Sequence, residues 1–277
     1  MEKEEYINLV NDKISNFKTK EIMIKQIDNF FDVKNILLKH HTYNVGDLVY
    51  LKKGTLLHGT YKNIDGLREI CQNGLIASLF INDKISKYPS CVGVWNLQKD
   101  YYLKDYVNFY SGGTIEYKKM NGEKIKTSVI PYNEMKNIMS TIDTNLCFRW
   151  RMEQTKEARF LPSLVQSKVQ IGIIFNSNND AIKRLLKGDI LSNNISDEEV
   201  KEFVNPDYYE KFIKDRRNKD DFFTDRESAI LFGVPSNLIE GILVGREYES
   251  NIDILKKIKK LLPNCYICNL DGVVIMI

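Results

Sequence analysis

Residues 169–175 read Val-Gln-Ile-Gly-Ile-Ile-Phe, a run in which Gln170 is the one polar side chain. A half-buried strand alternates apolar and polar residues, whereas a continuous apolar run must be covered on both faces. The run therefore predicts a central strand in a sheet with material packed on each side. The rest of the chain has to supply flanking strands and a helical layer.

Both are legible. Residues 2 to about 40 carry helical spacing, first through Tyr6, Leu9, Val10, Ile14 and Phe17, then through Ile22, Ile24, Ile27, Phe30 and Phe31. No Pro or Gly interrupts the chain before Gly46, so residues 1–45 are expected to form a helical N-terminal extension that packs on the remainder of the chain or on a partner. His40-His41 is expected to end it in a capping or surface role. From Asp47 the pattern changes to short β-type runs, at 47–52 and 55–59, around a Lys53-Gly54 turn. A helix should start after Asn63 and stop at Asn73-Gly74, where glycine accepts the left-handed conformation.

Residues 81–90 read as a polar loop, 92–95 as a strand, and 100–110 as a very aromatic helix. A hairpin is expected over 113–130 with Asn121-Gly122 at its turn, then a helix over 132–139 and a strand near 146–151. Ala181–Leu186 reads as a short helix, and the charged segment from Ile190 to about Asp220 as a surface insertion or lid. Strands at 228–232, 239–244, 266–270 and 273–277, with a helix at 252–262, complete the chain. The expected class is α+β, with one catalytic-size domain over residues 46–277. No repeat of 20–50 residues is present.

With 277 residues, 43% hydrophobic and 28% charged, the composition is that of a globular protein. The 40 basic and 37 acidic residues leave +3, too little to demand a nucleic-acid partner. No signal pattern and no membrane-length apolar run is seen, so a cytoplasmic location without membrane association is expected. The five cysteines are scattered, and Cys265-Tyr-Ile-Cys268 lacks the second ligand pair of a zinc site, so no metal is expected.

The candidate chemistry lies in three places. Leu56-Leu57-His58-Gly59-Thr60 ends a strand before a helix that closes at Gly74-Leu75. Val92-Gly93-Val94-Trp95 comes next, and eleven residues after Trp95 stands Tyr106. Later, Asp225-Arg226-Glu227-Ser228 opens an apolar strand, Pro235 ends it, and Ile239-Glu-Gly-Ile-Leu-Val244 returns. Taken alone, His58 is a strand-end histidine capping a turn, Trp95 and Tyr106 are core aromatics, and Glu227 is a solvated carboxylate.

Together these motifs resemble the ADP-ribosyltransferase superfamily, in its diphtheria-toxin-like and PARP-like branch with a His, an aromatic residue and a Glu. The region around Glu227 is similar to DarT-type nucleic-acid ADP-ribosyltransferases. The likeness covers roughly residues 50–110 and 220–245. It departs from the family at Trp95, where a tyrosine is usual, and at Leu103, where a hydroxyl is common.

The resemblance implies an ADP-ribosyltransferase-like split β-sheet core and NAD as substrate. It implies that Glu227 acts on the nicotinamide ribose and that His58 binds the adenosine ribose. It further implies that the Gly59 backbone approaches the nicotinamide amide, that Thr60 belongs to the cofactor-binding set, and that Trp95 and Tyr106 sandwich the nicotinamide ring. Arg149, Arg151 and Arg226 become candidates for phosphate groups. The implied protein is a mono-ADP-ribosyltransferase, a bacterial toxin or phage-defence effector with a nucleic acid or protein acceptor and an antitoxin or inhibitor as a further partner. An NAD glycohydrolase, or an inactive binding module of the same fold, are the alternatives.

Overall fold

The computed structural model describes residues 1–60, 64–81, 89–104, 113–119, 124–130, 146–151, 171–204, 206–217 and 226–277. The chain begins with α1 (Lys3–Lys13) and α2 (Phe17–Lys34), then β1 (Tyr50–Leu51), β2 (Leu56–Thr60), α3 (Ile64–Asn73) and β3 (Leu75–Ile76). It continues through α4 (Ser78–Ile81), β4 (Cys91–Asn96), β5 (Tyr101–Tyr102), β6 (Gly113–Lys119), β7 (Lys124–Ile130), β8 (Leu146–Arg151) and β9 (Ile171–Phe175). α5 (Asn179–Leu186) and α6 (Asp197–Phe203) come next, then short helical turns with a π-helical stretch at Tyr209–Ile213. β10 (Arg226–Leu231), β11 (Gly233–Val234), β12 (Ile239–Val244), α7 (Ile252–Leu261), β13 (Tyr266–Cys268) and β14 (Val274–Met276) end it. Among the described residues no helix is long and apolar enough to cross a membrane.

The architecture is mixed α and β, built on a seven-stranded sheet of order β10-β4-β2-β9-β12-β13-β14. The apolar run at 171–175 is its fourth strand and is buried at every residue, as a strand covered on both faces must be. All pairings in this sheet are antiparallel except β12 with β13. Leu56, Val94, Ile173 and Ile242 project from one face into the main core, beside residues of α1, α2, α5 and α7. Leu57, Trp95, Ile174 and Leu243 alternate with them and are buried on the opposite face.

The N-terminal helices belong to that core. Asn16 caps α2 by accepting from Thr19 N at 3.1 Å, and Met23, Ile27, Phe30 and Val33 form its buried face. Tyr6, Phe30 and Phe80 surround the Phe232 ring, with centroids 4.9, 4.8 and 5.0 Å away. Phe232 has φ 65, a left-handed backbone that a bulky side chain adopts only where its surroundings impose it. Here the aromatic cage imposes it, turning the chain between β10 and β11. The expected stop at Gly74 is also present, with φ +89 and Gly74 N bonded to Ile70 O at 2.8 Å.

Some expectations are corrected. The segment from Ile190 is no surface insertion up to Arg217: Ile190, Leu191, Ile195, Val200, Phe203, Tyr209 and Ile213 lie in the main core. Charge density misled because the apolar residues face inward between the charges. Tyr101 and Tyr102 form a strand against Leu51 and Tyr50, so the helix expected over 100–110 does not begin there. α2 ends at Lys34, well before the His40-His41 pair.

The hairpin pairs as expected from Gly113↔Ile130 to Lys118↔Lys124, and β8 adds to β6 as a third strand. The helix expected over 132–139 and most of the 81–90 loop lie outside the described residues.

Candidate functional site

The strands carrying the three sequence motifs are consecutive neighbours, β10-β4-β2. Leu57 pairs with Trp95, and Trp95 pairs with Glu227, so these three stand in one row across the sheet. The ladder between β2 and β4 ends at Leu57↔Trp95. Past that point the strands part, and His58 fills the gap by bringing Nδ1 to 2.8 Å from the Gly93 carbonyl. A carbonyl only accepts, so Nδ1 carries the proton and Nε2 of a neutral ring is left as an acceptor. Burial pushes the His58 pKa below its usual 6.5, against the opposing pull of the Gly93 carbonyl.

Gly93 also meets the candidate carboxylate. A methyl group built on its Cα would stand 3.6 Å from Glu227 Oε1. His58 and Glu227, remote in sequence, thus meet the same glycine, His58 at its carbonyl from the strand face of Leu56 and Ile173, and Glu227 at its Cα from the face of Leu57 and Trp95. Gly59 pairs with Gly172 on the far side of β2, so the row next to His58 carries no side chains at these two strands, and Thr60 pairs with Ile171 beyond it.

Glu227 sits on an edge strand that is braced rather than open. The buried Asp189 carboxylate accepts from Ala229 N at 2.9 Å and from Leu191 N at 3.0 Å. Ile190 N bonds Ala229 O, and Leu231 N bonds Gly188 O. Arg217 in turn fixes the 190–197 segment: its guanidinium donates to the carbonyls of Ile190, Ser192 and Ile195 and to Asp197 Oδ1 at 2.8 Å.

The remaining candidates divide. Trp95 is 6% exposed, so its indole is covered within the row and offers no open stacking face. Leu103 is fully buried and has no polar role. Tyr106 lies outside the described residues. For Thr60, Arg149, Arg151 and Arg226 only the backbone placement is described, Arg149 opposite Glu116 and Arg151 opposite Thr114.

No cluster of potential metal ligands occurs among the described residues. The Cys265 and Cys268 thiols are buried and face the Ile239 and Ile242 carbonyls. Burial raises both, Cys265 to about 12, which leaves them protonated and poor metal ligands.

Sequence reasoning missed Asp189, Arg217 and a pair centred on Glu240. Glu240 sits where the β12–β9 register shifts, a bulge that re-aims its side chain. Its Oε1 receives His41 N at 2.8 Å and Asn176 Nδ2 at 3.2 Å, and stands 2.5 Å from His41 Nδ1. A lone carboxylate inside the apolar run Leu238–Val244 was the available signal.

No family model, curated protein or solved structure matches this chain.

Proposed function

We propose that the protein is a NAD-dependent ADP-ribosyltransferase with its active centre between β2, β4 and β10. The observation that carries this reading is the convergence of His58 and Glu227 on Gly93, with Trp95 in register with the carboxylate. The parting of β2 from β4 after Leu57 supports a split-sheet core of the ADP-ribosyltransferase kind.

In the reaction the bond from ribose C1′ to the nicotinamide nitrogen breaks, and its electron pair leaves with nicotinamide, neutralising the pyridinium. The ribose develops oxocarbenium character, and the Glu227 carboxylate stabilises that charge electrostatically. An acceptor oxygen or nitrogen bonds to C1′ and gives up its proton to Glu227. His58, neutral and with Nε2 as acceptor, receives a ribose hydroxyl. The backbone of Gly59 and Thr60 faces the nicotinamide amide. The buried Trp95 offers no open ring, which leaves stacking on nicotinamide to Tyr106. The acceptor is a nucleic acid or a protein, and the activity is that of a cytoplasmic toxin or phage-defence effector restrained by an antitoxin or inhibitor.

Incubation with NAD labelled in its adenylate half, together with DNA, RNA and protein, tests this. Transfer predicts free nicotinamide and label on one macromolecule. Free nicotinamide with free ADP-ribose would assign hydrolysis instead. Absence of both NAD binding and nicotinamide release removes the reading.

A further inference from the structure

A cavity of about 400 Å³ lies between α2 and the segment 187–199, lined by residues other than those assigned to NAD. Lys25 and Lys187 line it. Neither has an ion-pair or hydrogen-bond partner among the described residues, although neighbouring cations are matched, Arg184 with Asp32 and Lys18 with Glu199. The one carboxylate in the lining, Glu199, is neutralised by Lys18 at 2.9 Å, which holds its pKa down at about 2. The cavity therefore presents two unopposed positive charges.

Its neutral groups are just as selective. Gln26 is 2% exposed and spent at both ends, donating to Leu185 O at 2.9 Å and accepting from Asn29 at 3.2 Å. Asn29 and Asn194 each turn one amide N–H inward, to Gln26 Oε1 and to Leu186 O, and keep a second N–H. Their Oδ1 atoms remain as acceptors. Gly188 lets the Gln26 amide pack directly on the backbone, filling the place a Cβ would take. Ile22 and Ile195 supply apolar wall.

We infer that this cavity binds a small phosphorylated sugar, its phosphate between Lys25 and Lys187 and its hydroxyls on the amide oxygens of Asn29 and Asn194. Two cations suit a dianion better than a carboxylate. Amides that keep both an acceptor oxygen and a second N–H suit sugar hydroxyl groups, which donate and accept, better than a second anion. The volume falls within the usual range for small-molecule sites. Binding here does not depend on the proposed NAD chemistry.

Calorimetric titration of the full chain with ribose 5-phosphate, inorganic phosphate and ribose, at constant ionic strength, tests it. Ribose 5-phosphate should bind saturably and more tightly than either part. Lys25→Ala and Lys187→Ala, both at exposed positions, should each weaken it about tenfold. Lys183→Ala, on a neighbouring exposed lysine, and Glu227→Gln should leave it unchanged. Asn29→Asp and Asn194→Asp should weaken the sugar phosphate and inorganic phosphate alike through added negative charge, while Asn194→Leu should weaken only the sugar phosphate. Equal affinity for phosphate and ribose 5-phosphate would overturn the sugar assignment. No saturable binding, or affinity unchanged in the Lys25→Ala, Lys187→Ala double variant, would overturn the site.

Discussion

His58 has a structural role where two strands part, and under the proposed reading it also binds a ribose hydroxyl. Its Nδ1 takes the place of a ladder hydrogen bond where β2 leaves β4, and that same bond fixes the tautomer presented at Nε2. The cost is paid in acid. Burial holds the folded-state pKa below 6.5, so the unfolded chain binds a proton first as pH falls. Stability is then unaffected above about pH 6.5 and declines as pH drops from there towards the folded pKa. Urea midpoints measured between pH 7.5 and 5 should fall for the wild type, and the part of that fall belonging to His58 should vanish in His58→Gln. An identical pH profile in the two proteins would contradict the burial argument.

At this scale the sequence was informative about residue type and poor on environment. His58, Glu227 and Trp95 stood out by their motifs, yet nothing in the local pattern around Trp95 distinguishes an open ring from a buried one. That distinction depends on what covers the far face of the sheet. Asp189 and Arg217 were invisible for a similar reason. Their importance comes from backbone groups that only the folded chain brings to them.

Among elements, β10 is the most dependent on others. It is an edge strand, and such strands need cover. The 188–190 backbone and the Asp189 carboxylate give it that cover, and Arg217 holds the segment in place through three carbonyls. Hydrogen bonds to a charged group contribute about 1.5–3 kcal/mol each, and removing the donor strands the buried carbonyls. Arg217→Ala should therefore destabilise the protein by about 2–4 kcal/mol and open residues 190–217 to protease, as limited proteolysis would report. Intact resistance to protease would show that the clamp is dispensable.

Elements with a clean period were legible: the buried run at 171–175, the helix ended by Gly74, the 113–130 hairpin and the 252–261 helix. The failures share a cause. Between Ile190 and Arg217 short helical turns hide their apolar residues among charges, too briefly for a period to register. At Tyr101-Tyr102 two tyrosines that fit a helix face instead pair with Tyr50 and Leu51.

For the molecule as a whole, the N-terminal helices and the candidate site are mechanically connected. Tyr6 and Phe30 cage Phe232, whose left-handed backbone ends the strand that carries Glu227. Met23, Ile27 and Val33 are each fully buried, so a chain starting at Ile36 would expose the core they cover. Burial of each such side chain contributes about 1.5–3 kcal/mol, so with the equally buried Val10 and Phe30 the five together contribute about 7.5–15 kcal/mol, as much as the usual 5–15 kcal/mol stability of a domain. The truncated chain should show no cooperative urea transition and no near-ultraviolet circular dichroism; a native-like transition would contradict this coupling. The periodicity foretold these helices and left their docking open, because an apolar stripe does not name what it packs on.

The central claim is that Glu227 acts on NAD at the place where it meets Gly93 and His58. The direct measurement is nicotinamide release from NAD by the wild type and by Glu227→Gln, with NAD affinity determined in parallel. The wild type should release nicotinamide, and Glu227→Gln should bind NAD within a few-fold of it while turning over about 100-fold or more slowly, since the charge it offers the developing cation is gone. A Glu227→Gln rate equal to the wild type, or a wild type that neither binds nor cleaves NAD, would contradict the account.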